Sequence, residues 1–171
     1  MLSIDIRSLD SRAATVDGEL AADDPVWQEG DPLPVGTVHV TGRLSTAGAG
    51  RYYFSGAFEG TAAGECRRCL TDVHTPVAED AHLFFMEADS EGAEDDPDTY
   101  LLDPRAYAID LRPAIREHWL LAVPAFAQCR EDCKGLCLTC GADLNAGECD
   151  CPPATADARW EALRKLRSDA K

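Results

Sequence analysis

Six cysteines, Cys129, Cys133, Cys137, Cys140, Cys149 and Cys151, crowd into 23 residues, and Cys66 and Cys69 stand together upstream. No other feature restricts the fold as tightly, because eight thiols must pair, bind metal or be buried as apolar groups. The start, MLSIDIRSLDSRAA, has no long apolar h-region, so no secretory signal is expected. No window approaches the roughly 20 apolar residues of a membrane span. The expected compartment is the cytoplasm, where thiols stay reduced and a disulfide framework is not expected. A chain of 171 residues does not need staples to hold a core. Metal binding is the stronger reading.

Spacing carries the chemistry. Cys137-x2-Cys140 followed by Gly141 is a metal knuckle: two thiolates face one point and the glycine permits the tight turn beneath them. Cys149-x-Cys151 places two sulfurs on one side of an extended segment. Cys129-x3-Cys133 has the spacing of one helical turn, and ECRRCL supplies a second knuckle at Cys66 and Cys69. Loop-closure entropy favours joining Cys137/Cys140 to Cys149/Cys151, because only GADLNAGE has to close. That leaves Cys66/Cys69 with Cys129/Cys133. Four thiolates make a closed structural zinc site with no position for water, worth on the order of 10 kcal/mol of folding free energy in small zinc domains. An iron–sulfur cluster remains open, since ligand type alone does not exclude iron. For the upstream four, a redox pair or plain buried thiols also remain open. One zinc is expected at the local tetrad, and a second if the upstream four converge.

The rest of the chain reads as an α+β protein. Alternating apolar residues around Val38–Leu44, in RYYFSGAFEG and in VHTPVAEDAHLFFME predict three strands, with STAGAG as a turn. They form an antiparallel β-meander over 37–86. SIDIRSL is a candidate strand, and 21–36, with its three prolines, is an irregular connection. Residues 87–98 hold seven acids and no base, which predicts a solvated loop. A helix is expected over 110–122, N-capped by Asp110 with Pro113 in its first turn. It turns Ile115, Trp119 and Leu120 toward the sheet. The Cys-rich zinc segment follows, then a C-terminal helix capped by Asp157 with Trp160, Leu163 and Leu166 on one face. The organisation is an N-terminal strand and irregular segment (1–36), an α+β core (37–128) and a Cys-rich segment with C-terminal helix (129–171).

Nothing else reads as an active site. His39, His74, His82 and His118 are scattered, and His39 and His82 suit ordinary sheet positions. No nucleophile elbow, phosphate loop or dinucleotide fingerprint occurs. No catalytic residue and no small-molecule substrate is expected. Acids outnumber bases 31 to 16, for a formal net charge of -15. That argues against a non-specific nucleic-acid or anionic-membrane binder and for basic partners. The local exceptions are Arg67–Arg68 on the knuckle and Arg164, Lys165 and Arg167 in the tail, where dipole complementarity is the plainer account.

ECRRCL, YAIDLRPAIREHWLLAVP, CREDCKGLCLTCGADLNAGECDC and DARWEALRKLR, in that order and spacing, resemble the YceD-like family, the large ribosomal RNA subunit accumulation proteins. The resemblance covers roughly 37–168, and CKGLCLTCGADLN is its most specific part. It carries all eight cysteines across as motif positions. Leu138 stands where the family usually has proline, which loosens the knuckle without removing a ligand. The resemblance implies a bacterial or plastid protein, not an enzyme, that supports accumulation or processing of large-subunit ribosomal RNA. The partners then expected are a basic large-subunit ribosomal protein or pre-ribosomal particle, with local contact to ribosomal RNA. The alternative is a thiol redox or metal-handling protein using the C-x2-C pairs.

Overall fold

The computed structural model describes residues 1–10, 12–48, 50–88 and 99–152. Its elements are β1 (Ser3–Asp5), a 3-10 turn (Ile6–Leu9), β2 (Ala14–Ala21), β3 (Thr37–Gly48), β4 (Arg51–Glu65), β5 (Asp72–Glu87), β6 (Thr99–Leu102), β7 (Ala108–Asp110) and α1 (Arg112–Ala122). One sheet has the order β2-β3-β4-β5-β6, and β1 pairs with β7 in a separate ribbon. The predicted meander is its centre. β4 and β5 pair antiparallel over their whole length, from Arg51↔Met86 to Glu65↔Asp72.

Alternation explains the layers. β3 turns Val38, Val40 and Leu44 inward, β4 turns Tyr52, Phe54, Phe58 and Ala62, and β5 turns Val77, Ala81, Leu83 and Phe85. α1 covers this face with Ala114, Ile115 and Trp119. Trp119 is fully buried, lies 6.4 Å from the rings of both Trp27 and Phe58, and donates its indole N–H to the Pro32 carbonyl at 2.7 Å. The irregular connection is tied to the same helix. Arg116 holds the Asp31 carboxylate with two bonds of 2.7 and 2.9 Å, and the guanidinium draws the Asp31 pKa down. Leu2, Leu9, Val16 and Leu20, all from the first 36 residues, join this core.

Several expectations are corrected. β2 is an additional strand: its inward residues Val16 and Leu20 alternate with Asp17 and Glu19, but they are too few to stand out. β6 joins parallel to β5, so the sheet is not a pure meander. Parallel neighbours need a long connection, which the chain supplies between Glu87 and Thr99. β3 runs through STAG to Gly48, so the turn is shorter than STAGAG. Asp110 ends β7 and α1 begins at Arg112 with Leu111 at the cap position. The Asp110 carboxylate still accepts from the Arg112 backbone N–H at 3.0 Å, and it also grips that residue's guanidinium, which lowers its pKa against the cost of burial. Most of the acidic loop (89–98), and the C-terminal helix with Arg164, Lys165 and Arg167, lie outside the described residues. Among the described residues no helix is long and apolar enough to cross a membrane.

Candidate metal centres

The connection between β4 and β5 is the first knuckle. Cys66 follows the last residue of β4, and Thr71 precedes the first of β5. Within the turn, the Cys66 N–H donates to the Thr71 carbonyl at 2.8 Å, and the Leu70 N–H to the Cys66 carbonyl at 2.8 Å. The second knuckle repeats both bonds. The Cys137 N–H reaches the Ala142 carbonyl at 2.8 Å, and the Gly141 N–H reaches the Cys137 carbonyl at 2.9 Å. The residue after the second cysteine is left-handed in each, with φ of 59° at Leu70 and 74° at Gly141. Glycine takes that conformation freely; leucine takes it at roughly 1–2 kcal/mol.

The knuckles gather two tetrads, Cys66/Cys69/Cys129/Cys133 and Cys137/Cys140/Cys149/Cys151, each with its four sulfurs within 4.8 Å of one another. This is the grouping loop closure favours. In the first, Cys66–Cys133 and Cys69–Cys129 are separated by 3.8 and 3.6 Å. Disulfide sulfurs would be ~2.0 Å apart. A tetrahedron of metal–sulfur bonds ~2.3 Å long, the zinc–thiolate length, has an edge of ~3.8 Å. Sulfurs at this spacing fit one ion between them more closely than a cluster of several irons. The donor set therefore fits one tetrahedral ion per site.

The local electrostatics suit thiolates. The backbone N–H of Cys129, and those of Arg68 and Cys69, point at the Cys66 sulfur and draw its pKa down to about 6. The N–H groups of Cys140 and Thr139 do the same for Cys137, also to about 6. The Thr71 hydroxyl and backbone N–H lower Cys69 as well, whereas Cys129 and Cys151 are pushed the other way. Cys129 is an exposed residue, but its sulfur is turned inward against Cys69, and desolvation with the neighbouring thiols pushes it up to about 12. Cys151 is likewise pushed up to about 12, chiefly by its contact with Cys140. Four crowded thiols cannot all ionise alone, and a divalent cation among them reverses that balance.

The two sites are joined. The Leu136 N–H donates to the Arg68 carbonyl at 2.9 Å, and the Leu144 N–H to the Gly135 carbonyl at 2.9 Å. Asn145, on the loop of the second tetrad, directs its side-chain N–H toward the Cys133 sulfur of the first at 3.5 Å. Its carbonyl oxygen accepts from the Lys134 N–H at 2.8 Å and from Arg130 at 2.7 Å. The sequence pattern missed Asn145, because a loop asparagine carries no spacing signal of its own.

Of the other candidates, Arg67 and Arg68 sit on the first knuckle, and the Arg67 guanidinium lies 4.6 Å from the Phe126 ring centre. The histidines stand apart from both tetrads. His39 bonds Asp17 at 3.0 Å, a contact that raises its pKa, and His82 bonds the Tyr53 hydroxyl at 2.8 Å.

Fold and site together define a small α+β protein carrying two four-cysteine sites fit for metal. A family model described as "Large ribosomal RNA subunit accumulation protein YceD" matches residues 54–167, and the chain belongs to that family. A maize relative, "Large ribosomal RNA subunit accumulation protein YCED homolog 1, chloroplastic", is 33% identical over 180 residues, covering 87% of this chain and 59% of its own. The Arabidopsis thaliana protein of the same name is 39% identical over 64 residues, 37% of this chain and 20% of its own. An uncharacterized protein of Mycobacterium tuberculosis is 34% identical over 115 residues, 66% of this chain and 54% of its own. This chain thus spans less than two thirds of the length of each. No solved structure matches it.

Proposed function

We propose that the chain is a non-enzymatic ribosome-biogenesis factor that supports accumulation or processing of large-subunit ribosomal RNA, stiffened by two structural zinc ions. The observation that carries the zinc is the pair of joined tetrads, each bringing four sulfurs within 4.8 Å of one another. Cys66, Cys69, Cys129 and Cys133 hold one ion; Cys137, Cys140, Cys149 and Cys151 hold the other. Zinc in such a site supplies folding free energy rather than a reactive water. The family description supports the ribosomal role. With a formal charge of -15, the body attracts a Lys/Arg-rich large-subunit protein or a nascent particle and repels RNA phosphates at long range. RNA contact is then local, at cationic points such as Arg67 and Arg68. The cytoplasm, or a plastid in relatives, is the matching compartment.

Two measurements test this. Metal analysis of the purified chain should give two zinc ions per chain. Depleting the protein should lower large-subunit ribosomal RNA against small-subunit RNA, and the tagged protein should sediment with large-subunit precursors. Unchanged RNA ratios with no particle association would refute the ribosomal role. A second reading, thiol redox or metal handling, has one observation in its favour: the partly exposed second tetrad contains Cys137, whose thiol is drawn down to about 6 by backbone N–H groups. Zinc that survives mild oxidant favours the first reading. A dithiol that cycles and releases metal favours the second.

A further inference from the structure

In this chain acids outnumber bases 31 to 16. One groove gathers cations. It runs from the first knuckle along the second tetrad, encloses about 570 Å³, and is lined by Arg67, Arg68 and Lys134 together with the thiols Cys137, Cys149 and Cys151, with no aspartate or glutamate among its lining residues. Its apolar lining includes Leu138 and Leu144. Arg112, Arg116 and Arg130 each meet a carboxylate elsewhere. Arg67, Arg68 and Lys134 form no ion pair among the described residues. Asp143, which adjoins Leu144, is engaged with Asn145 instead.

The groove's walls are held in place by the junction between the sites. The Leu136 N–H bonds the Arg68 carbonyl, and Gly135, at φ 78°, packs so closely that an added Cβ would stand 2.9 Å from that oxygen. Beside it, the Arg67 guanidinium faces Phe126, a ring that is 70% exposed. Cations with no ion pair among the described residues suit a phosphate backbone, and a flat, exposed ring beside an arginine suits a nucleobase. An acidic peptide would use the cations but cover the ring only if it also placed an aromatic or apolar side chain there.

We infer that the groove running from the first knuckle along the second tetrad binds a short stretch of single-stranded RNA, with phosphates on Arg67, Arg68 and Lys134 and a base stacked on Phe126. This rests on the ribosomal reading and names where the RNA contact occurs. Three neutralised phosphates set a shallow salt dependence: at about 0.7 counterions each for single strands, log affinity should fall against log salt with a slope of about -2. The three cations also stand near thiolates, so the rival account is that they only balance the charge of the metal sites.

The test uses the full chain purified with its metal and a fluorescein-labelled single-stranded oligonucleotide of large-subunit ribosomal sequence. Arg67→Ala/Arg68→Ala/Lys134→Ala should weaken binding about tenfold to hundredfold and flatten the salt slope, with metal content unchanged. Phe126→Ala leaves the net charge alone and should weaken binding about fivefold to hundredfold with the slope intact. A control of equal charge, Arg7→Ala/Arg43→Ala/Arg105→Ala, should bind nearly as the parent does. Equal loss in the control and the groove variant would overturn the site, as would metal release from the groove variant, which would make the cations servants of the tetrads. Polyglutamate binding that matches RNA and is lost in the same variants would reassign the groove to acidic peptides. A parent that ignores the oligonucleotide yet sediments with precursors overturns this inference alone. Oligonucleotide binding with no particle association overturns the ribosomal reading alone.

Discussion

The two tetrads share a knuckle and differ in what they hold. The first sits at the tip of the β4–β5 hairpin and draws in Cys129 and Cys133 from beyond α1, so its ligands are 60 and 67 residues apart across the pairs in contact. Cys66 and Cys133 are fully buried. The second draws all four ligands from residues 137–151, and none of them is fully buried. A metal that closes a long loop constrains the unfolded chain more than one that closes a short loop. The first site therefore belongs to the fold of the sheet. The second belongs to a local module that leans on the first through Leu136, Leu144 and Asn145.

The sharpest way to break this contrast is one serine in each site. Cys66→Ser should lose metal from the first tetrad and unfold the sheet together with the hairpin tip and residues 126–136, since a loss on the order of 10 kcal/mol matches the whole stability of a typical domain. Metal analysis with amide hydrogen exchange reads both effects. Cys140→Ser should also lose one metal equivalent, but the protection of β3, β4, β5 and α1 should stay at parental levels. Global unfolding in the second variant would erase the distinction.

Trp119→Ala provides a scale for these losses. It empties the centre of the core and should cost about 3–5 kcal/mol by denaturant unfolding while both metals remain bound. Metal loss on that substitution would mean that the sites depend on the core more than the core depends on them.

The junction is more delicate. Gly135→Ala forces a left-handed alanine against the Arg68 carbonyl and should cost roughly 1–2 kcal/mol. The excess should appear as faster metal loss to a chelator, first from the second tetrad. Uniform acceleration at both sites would show that they move as one body.

The smallest effect should be a gain. Leu70 is 59% exposed and left-handed, where the second knuckle has Gly141. Leu70→Gly removes a strain of roughly 1–2 kcal/mol and returns about 0.5–1 kcal/mol in unfolded-chain entropy. The net expectation is a stabilisation between about 0 and 1.5 kcal/mol by denaturant midpoint. A destabilised variant would show that the Leu70 side chain packs on a surface that its exposure conceals.

The same pair of residues shows how far sequence reading reaches. Gly141 made the second knuckle plain, because a glycine after C-x2-C announces the left-handed turn. Leu70 gave no such sign, and the first knuckle had to be read from its cysteines alone. The strands of 37–86 and the face of α1 were legible because Val38, Val40, Phe54, Phe58, Ile115 and Trp119 recur at the periods that strands and helices impose. β2 was not, since Val16 and Leu20 gain meaning only when β3 pairs beside them. The parallel placement of β6 and the pairing of β1 with β7 depend on partners distant in the chain.

Ligand identity is local chemistry. Cysteine spacing, the acidic balance and the amphipathic periods are set by neighbours along the chain, so the sequence alone determined that this protein has thiol sites, an acidic body and a sheet covered by a helix. Which cations stand without an ion pair among the described residues, and which glycine touches another loop, are set by contacts across dozens of residues. Only the packed chain decides them, because a contact's free energy appears once both partners have been brought together and withdrawn from water. The groove of Arg67, Arg68 and Lys134 is of this kind: two knuckle cations and one from the linker between the sites, brought together where the Leu136 N–H meets the Arg68 carbonyl.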